Sequence, residues 1–140
     1  MSYTRDQMIA IFNRLQQSLI DRVADTGWMN LRISTYNVVF ASGRIMVRKV
    51  GKVVTISVLN IRSESQLSAG SSYRILDELP AGCCPTDTVA VAAMAVPGSG
   101  LMFGGEIEIR PDGVVTLHLP AGIGYAPSYG IYATITYLTD

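Results

Sequence analysis

Hydrophobic and polar positions alternate with a period of two along most of this chain, most cleanly from Arg44 to Arg62. In RIMVRKVGKVVTISVLNIR, Val54, Ile56 and Val58 fall on one face, while Val53, Thr55 and Ser57 fall on the other. That pattern predicts a half-buried antiparallel strand. The stretch reads as two strands joined by a tight turn at Val50-Gly51-Lys52. Valine and isoleucine suit a pleated surface, and Gly51 supplies the positive φ that a short reversal needs.

The same grammar predicts further strands on either side. Trp28 to Ser34 alternates Met29, Leu31 and Ile33 against Asn30 and Arg32, and Tyr36 to Phe40 continues it or makes a small excursion. Ser63 to Ser72 is a polar loop, and Tyr73 to Leu79 is a strand closed by Leu79-Pro80-Ala81-Gly82. Val89 to Val96, VAVAAMAV, is apolar on both faces but built of small residues. Such a strand is covered on both sides, by a second sheet or by a neighbouring subunit.

Glu106 to Leu119 reads as a hairpin around Arg110-Pro111-Asp112-Gly113, a type I turn with Gly at the bulge position. Its register sets Arg110 opposite Val114, Glu108 opposite Thr116 and Glu106 opposite His118. Pro120 to Ser128 is a loop carrying Tyr125. Tyr129 to Thr139 is a last strand, with Ile131, Ala133, Ile135 and Tyr137 against Tyr132, Thr134 and Thr136. Short strands at near-regular spacing, with one helix, predict an antiparallel β-barrel or sandwich of jelly-roll type.

Only the N-terminus follows a helical period. Thr4 and Gln7 form a capping box, and Tyr3 with Met8 has the spacing of a hydrophobic staple. Met8, Phe12, Leu15 and Leu19 make a stripe that Ile11, Ile20 and Val23 widen, and Gly27 is placed to end the helix. The helix packs on the β core or serves as an oligomer stem. Polar Asn13, Arg14, Gln16 and Gln17 around the stripe favour the stem, and its residue types favour more than two strands. The division expected is a stem over residues 1–27 and a β head over 28–140.

Composition narrows the function. The 140 residues are 49% hydrophobic and 16% charged, with eleven acidic and eleven basic side chains. So few charges on a small β protein suggest that another chain covers some apolar surface. No basic stripe meets phosphates, so nucleic acid is not an expected partner. No apolar run is long enough for membrane insertion, and the start lacks a signal peptide's order, so synthesis in a cytoplasm is expected. Cys83 and Cys84 are adjacent, poor geometry for a mutual disulfide, and are expected reduced with at least one buried.

Chemistry is sparse. Glu106 and His118 are the one pair resembling an acid–base couple, and a cross-strand polar contact is their ordinary role. No nucleophile or orienting third residue accompanies them, so no catalytic residue is assigned. Asp77 and Glu78 are neighbours on a predicted strand and point to opposite faces. The two thiols alone make no metal site, and neither metal nor cofactor is assigned. Gly98-Ser99-Gly100 and Gly104-Gly105 lack the context of a phosphate cradle. Between them, Leu101, Met102 and Phe103 begin a strand inward or form a contact surface. Trp28 is expected to pack at the helix–head junction.

The order of features resembles a known family. A short helix leads to a tryptophan-led strand and then to Arg48-Lys49-Val50-Gly51-Lys52-Val53-Val54. Leu79-Pro80, Cys84-Pro85, a small-residue strand, Glu106-Ile107-Glu108-Ile109 and an Asp112-Gly113 turn follow. From Trp28 onward this is similar to the head domain of receptor-binding proteins at the tail tips of siphophages infecting Gram-positive bacteria, the lactococcal type above all. The resemblance implies a trimeric β-barrel head that attaches a virion to a host cell-wall saccharide without catalysis. Its partners would be two further copies, that host saccharide and other phage tail or baseplate proteins. It places binding residues near Leu101 to Glu108, and no Trp or His stands in that loop here.

Saccharide contacts are therefore expected from Met102, Phe103, Glu106, Glu108, His118, Tyr125 and Tyr132, and trimer contacts from Met8, Phe12, Leu15 and Leu19. Acidic residues there disfavour a phosphate-bearing ligand. The competing readings are a baseplate or tail-fibre adaptor, a depolymerase built across subunits, and a host-encoded trimeric jelly roll.

Overall fold

The computed structural model of the chain describes residues 2–97 and 102–139. Helix α1 (Arg5–Val23) precedes eight strands: β1 (Met29–Leu31), β2 (Phe40–Val50), β3 (Val53–Ser63), β4 (Ser72–Leu76), β5 (Val89–Val96), β6 (Phe103–Ile109), β7 (Val115–His118) and β8 (Gly130–Leu138). They form one antiparallel sheet in the order β1-β2-β3-β8-β5-β6-β7-β4, curled into a nearly closed barrel.

The alternation places the core. Ile45 and Val47 on β2, Val54, Ile56 and Val58 on β3, Ile107 and Ile109 on β6, and Val115 and Leu117 on β7 all turn inward and are buried. Burying each such side chain favours folding by about 1.5–3 kcal/mol, so the pattern fixes which face of every strand points in. On β8, Ile131, Ile135 and Tyr137 are buried, in the phase expected.

Both predicted hairpins form. Val50 pairs with Val53 across Gly51 and Lys52, and Gly51 adopts φ +59°. Positive φ at the first of two turn residues is where glycine suits a reversal matched to the strand twist. In the second hairpin Gly113 N donates to Arg110 O at 2.9 Å, and Arg110 N donates to Val114 O at 3.1 Å. Glu108 pairs with Thr116 and Glu106 with His118, the register expected.

Four expectations about elements are corrected. Strand β1 stops at Leu31 rather than Ser34: its pairing with β2 ends at Leu31–Ile45, beside the place where β2 and β3 shift register between Ser42 and Arg44. The chain then crosses to the opposite edge, where Ser34 N donates to Ile75 O at 2.9 Å. Strand β4 ends at Leu76, so Asp77 and Glu78 lie past it, both exposed. Asp77 accepts from Ser34 Oγ at 2.6 Å.

Helix α1 ends at Val23, not at Gly27. Ala24 is already extended, its carbonyl accepts from Gly51 N at 2.8 Å, and Thr26 N donates to Lys49 O at 3.0 Å. Sheet pairing at the edge of β2 thus outcompetes a glycine cap. Trp28 is corrected too: it is 48% exposed and does not seal the junction.

The capping box of α1 is present, with Thr4 N donating to Gln7 Oε1 at 2.8 Å and Gln7 N donating to Thr4 Oγ1 at 3.2 Å. Every residue from Ser2 to Ile20 is exposed, so the helix does not pack on the barrel core. The side chain of Val23 and the residues Gly98 to Leu101 of the expected contact loop lie outside the described residues. Among the described residues no helix is long and apolar enough to cross a membrane.

Cys83 is buried and Cys84 half-buried, both as free thiols. Burial pushes both thiols up from their ordinary range. The Tyr137 hydroxyl donates to the Cys83 carbonyl, tying the Pro80–Pro85 segment to β8.

Candidate functional site

The outward face of β5, β6, β7 and β4 carries a cluster of ionisable groups that includes Glu106, Glu108 and His118. Because Ile107 and Ile109 point into the core, Glu106 and Glu108 must point out. Register then builds two rows across four strands. One runs Ala92–Glu106–His118–Ser72, and the next runs Ala90–Glu108–Thr116–Arg74. A third row, Tyr132–Met94–Gly104, crosses β8, β5 and β6.

Small residues around the carboxylates shape the surface. Ala90 and Ala92 on β5 leave a shallow depression of about 240 Å³ bounded by Gly105 and Glu106. A second, of about 310 Å³, lies on the other side of Glu106, bounded by His118, Leu119 and Pro120. Glu106 therefore forms a ridge between two hollows.

The imidazole of His118 is fixed from behind. Its Nδ1 lies 2.5 Å from Ser72 Oγ, and its Nε2 points toward Glu108 Oε2 at 3.6 Å. The couple expected between Glu106 and His118 is corrected here. The two residues oppose each other in register, but the ion-pair approach runs along the diagonal to Glu108. Strand twist brings such diagonal neighbours within reach of long side chains. One potential ligand atom from each of Glu106, Glu108 and His118 lies within 4.8 Å of the others. Arg74, the cation on the same face, turns away: it sits 3.5 Å from Asp77 and 4.1 Å from the Tyr36 ring centroid.

The remaining expected contacts divide. Met102 and Tyr132 are exposed, and Met94, exposed beside Tyr132, extends the same apolar margin. Phe103 turns inward and stacks on Tyr129, with ring centroids 5.5 Å apart and planes at 9°, so it begins the strand rather than the contact surface.

Tyr125 does not belong to the surface. It is 1% exposed, and its hydroxyl donates to Gly104 O at 2.6 Å. That hydroxyl fills the space where a Cβ at Gly105 would sit, which is why the backbone there needs glycine. Burial raises the Tyr125 hydroxyl above its ordinary range.

On the helix, Met8, Phe12, Leu15 and Leu19 all face solvent, together with Ile9, Ile11 and Ile20. Ser72 and Met94 escaped the sequence reading. Ser72 meets His118 only through the β4–β7 pairing, which no local pattern encodes. Met94 was legible from its phase in VAVAAMAV, two positions beyond Ala92.

Eight antiparallel strands in a nearly closed barrel, preceded by one helix, define the fold. The structure matches that of the head domain of lactococcal phage bIL170, described in a study of a common fold for the receptor-binding domains of lactococcal phages. The TM-score is 0.66, the identity 14%, and the match covers 79% of this chain and 96% of that one. At that identity, what the two chains share is the fold. No protein-family model matches the sequence, and no curated protein does either.

Proposed function

We propose that this chain is the head of a phage or prophage receptor-binding protein, carried at a virion's tail tip or baseplate. It attaches the particle to a saccharide of the host cell wall without cleaving it. The likeness to the bIL170 head domain over 79% of the chain is the observation that carries this reading.

The saccharide face is the outer surface of β5, β6 and β7. Glu106 and Glu108 offer carboxylate oxygens, which accept the hydroxyl protons that sugars present in quantity. Met94, Met102 and Tyr132 give an apolar margin against which the C–H face of a sugar ring rests. Two carboxylates with their cation turned away favour a neutral or cationic saccharide over a phosphate-bearing one.

The shape of the face supports attachment without cleavage. A glycosidase holds its two carboxyl groups on either side of the scissile bond, whereas Glu106 and Glu108 stand two residues apart on one strand. Shallow hollows flank them instead of a cleft.

Helix α1 is the stem of a homotrimer and the route to other tail or baseplate proteins. Among the described residues its apolar stripe packs on no part of its own barrel, and most helical stability in proteins comes from packing of such a face. Copies of the same stripe packed around a three-fold axis would cover it. Pull-down of the full chain on cell-wall saccharide from Gram-positive bacteria, beside a glycan array, tests the reading. Saturable binding supports it. A stable oligomer that binds no glycan would favour the adaptor role instead.

A further inference from the structure

We propose that Glu106, Glu108 and His118 form a binding site for a divalent transition-metal ion of the zinc or manganese class. The three residues come from adjacent strands β6 and β7, held by the Glu106–His118 register. One ligand atom from each lies within 4.8 Å of the others. An ion about 2 Å from each ligand spans such a set after a small closing movement of the side chains.

A second observation concerns the imidazole. His118 Nε2 is shielded from solvent and has no hydrogen-bond partner among the described residues. Its 3.6 Å separation from Glu108 Oε2 is too long for a hydrogen bond. A polar atom left shielded and unpaired calls for an explanation, and a bound ion supplies one. The other ring nitrogen is already engaged, 2.5 Å from Ser72 Oγ. With Nδ1–H donating to that hydroxyl, the Nε2 lone pair faces the two carboxylates. That is the outer contact by which a ligating histidine is oriented.

Charge points the same way. Two carboxylates converge on the imidazole while Arg74 is committed to Asp77 and the Tyr36 ring. A nitrogen ligand beside two carboxylates suits zinc or manganese better than calcium or magnesium, which prefer oxygen throughout. Three protein ligands leave a coordination position open on the exposed side of Glu106. The ion would share Glu106 and Glu108 with the proposed saccharide face, and binding of the metal alone is read without any saccharide.

Titration calorimetry of the chelator-stripped full chain with zinc chloride alone, and separately with manganese chloride, tests the proposal. One ion per chain is expected, with affinity at least about tenfold lower in His118→Ala. Binding should be lost in the double variant Glu106→Gln, Glu108→Gln, whose side chains keep their size. Cobalt loading gives a second readout: a nitrogen–oxygen ligand set shows no thiolate charge-transfer absorption. Such absorption would place the ion on Cys83 or Cys84 and overturn the proposal. Absence of saturable binding of either ion, or undiminished binding in the double glutamine variant, would overturn it as well.

Discussion

The side-chain amide of Asn37 stands in for a missing strand beside Arg74. Its Oδ1 accepts from Arg74 N at 3.0 Å, and its Nδ2 donates to Ser72 O at 3.1 Å. With Ser34 N on Ile75 O, these bonds close the seam between the β1 side and β4. The same seam holds Ser72, which orients His118, so barrel closure and the candidate site share a support.

Replacing Asn37 by Ala should therefore lower stability by about 1 kcal/mol, since water reaches this edge and replaces part of what is lost. Asn37→Asp keeps the acceptor but sets an anionic oxygen against the Ser72 carbonyl, so its loss should be at least as large. Urea unfolding of the two variants beside the parent checks the order. Equal stability of all three would mean that the seam closes without Asn37.

Asp25 and Arg48 fasten the root of the helix to β2. Arg48 Nε and Nη2 donate to the Asp25 carboxylate at 3.0 and 2.6 Å, and Gly27 N adds a third bond at 2.8 Å. Arg48 first, and the Gly27 N–H second, hold the Asp25 carboxyl down to about 2. Its folded value lies below the ordinary aspartate value, near 3.9. The stabilisation is thus present above about pH 4 and is lost as pH falls through about 2. The pair is exposed, so salt should weaken it. NMR titration of the Asp25 carboxyl should give a midpoint near 2 that rises in Arg48→Ala. A midpoint unmoved by that change would assign the shift elsewhere.

The stem predicts an oligomer. Light scattering of the full chain at micromolar concentration should give the mass of three copies. Met8→Glu combined with Leu15→Glu should reduce it, because charges on a packed stripe are poorly tolerated. A monomer in the parent would end the stem reading. An unaltered trimer in the variant would move the contact to the barrel.

How far the sequence could be read depended on how local each signal was. The two hairpins were legible residue by residue, because turn chemistry and alternation at Val50–Val53 and Arg110–Val114 agree on one register. Helix α1 was legible at its start, where Thr4 and Gln7 cap each other, but not at its end. The stop there comes from Ala24 and Thr26 pairing with residues far along the chain. Strand β1 was overextended because the end of its pairing lies beside a register shift between β2 and β3 that no local pattern reveals. The outward pair Glu106 and Glu108 followed from period two alone. Tyr125 looked available because a Gly/Pro loop reads as surface, yet its hydroxyl is drawn to Gly104 by packing that no spacing reveals. The Ser72–His118 contact needed the β4–β7 pairing and had no sequence signal.

The most direct test of the account is adsorption of the full chain, with Glu106 and Glu108 both changed to Ala, to Gram-positive cell walls that retain the parent. The double variant should fold, since Glu106 is exposed and Glu108 half-buried on the outer face, where substitutions usually cost less than about 1 kcal/mol. The account predicts normal stability and a loss of adsorption of at least about tenfold, as expected when central contacts of an interface are removed. Adsorption equal to the parent's, by a variant shown to be folded, would contradict it and place any receptor contact on another face of the barrel.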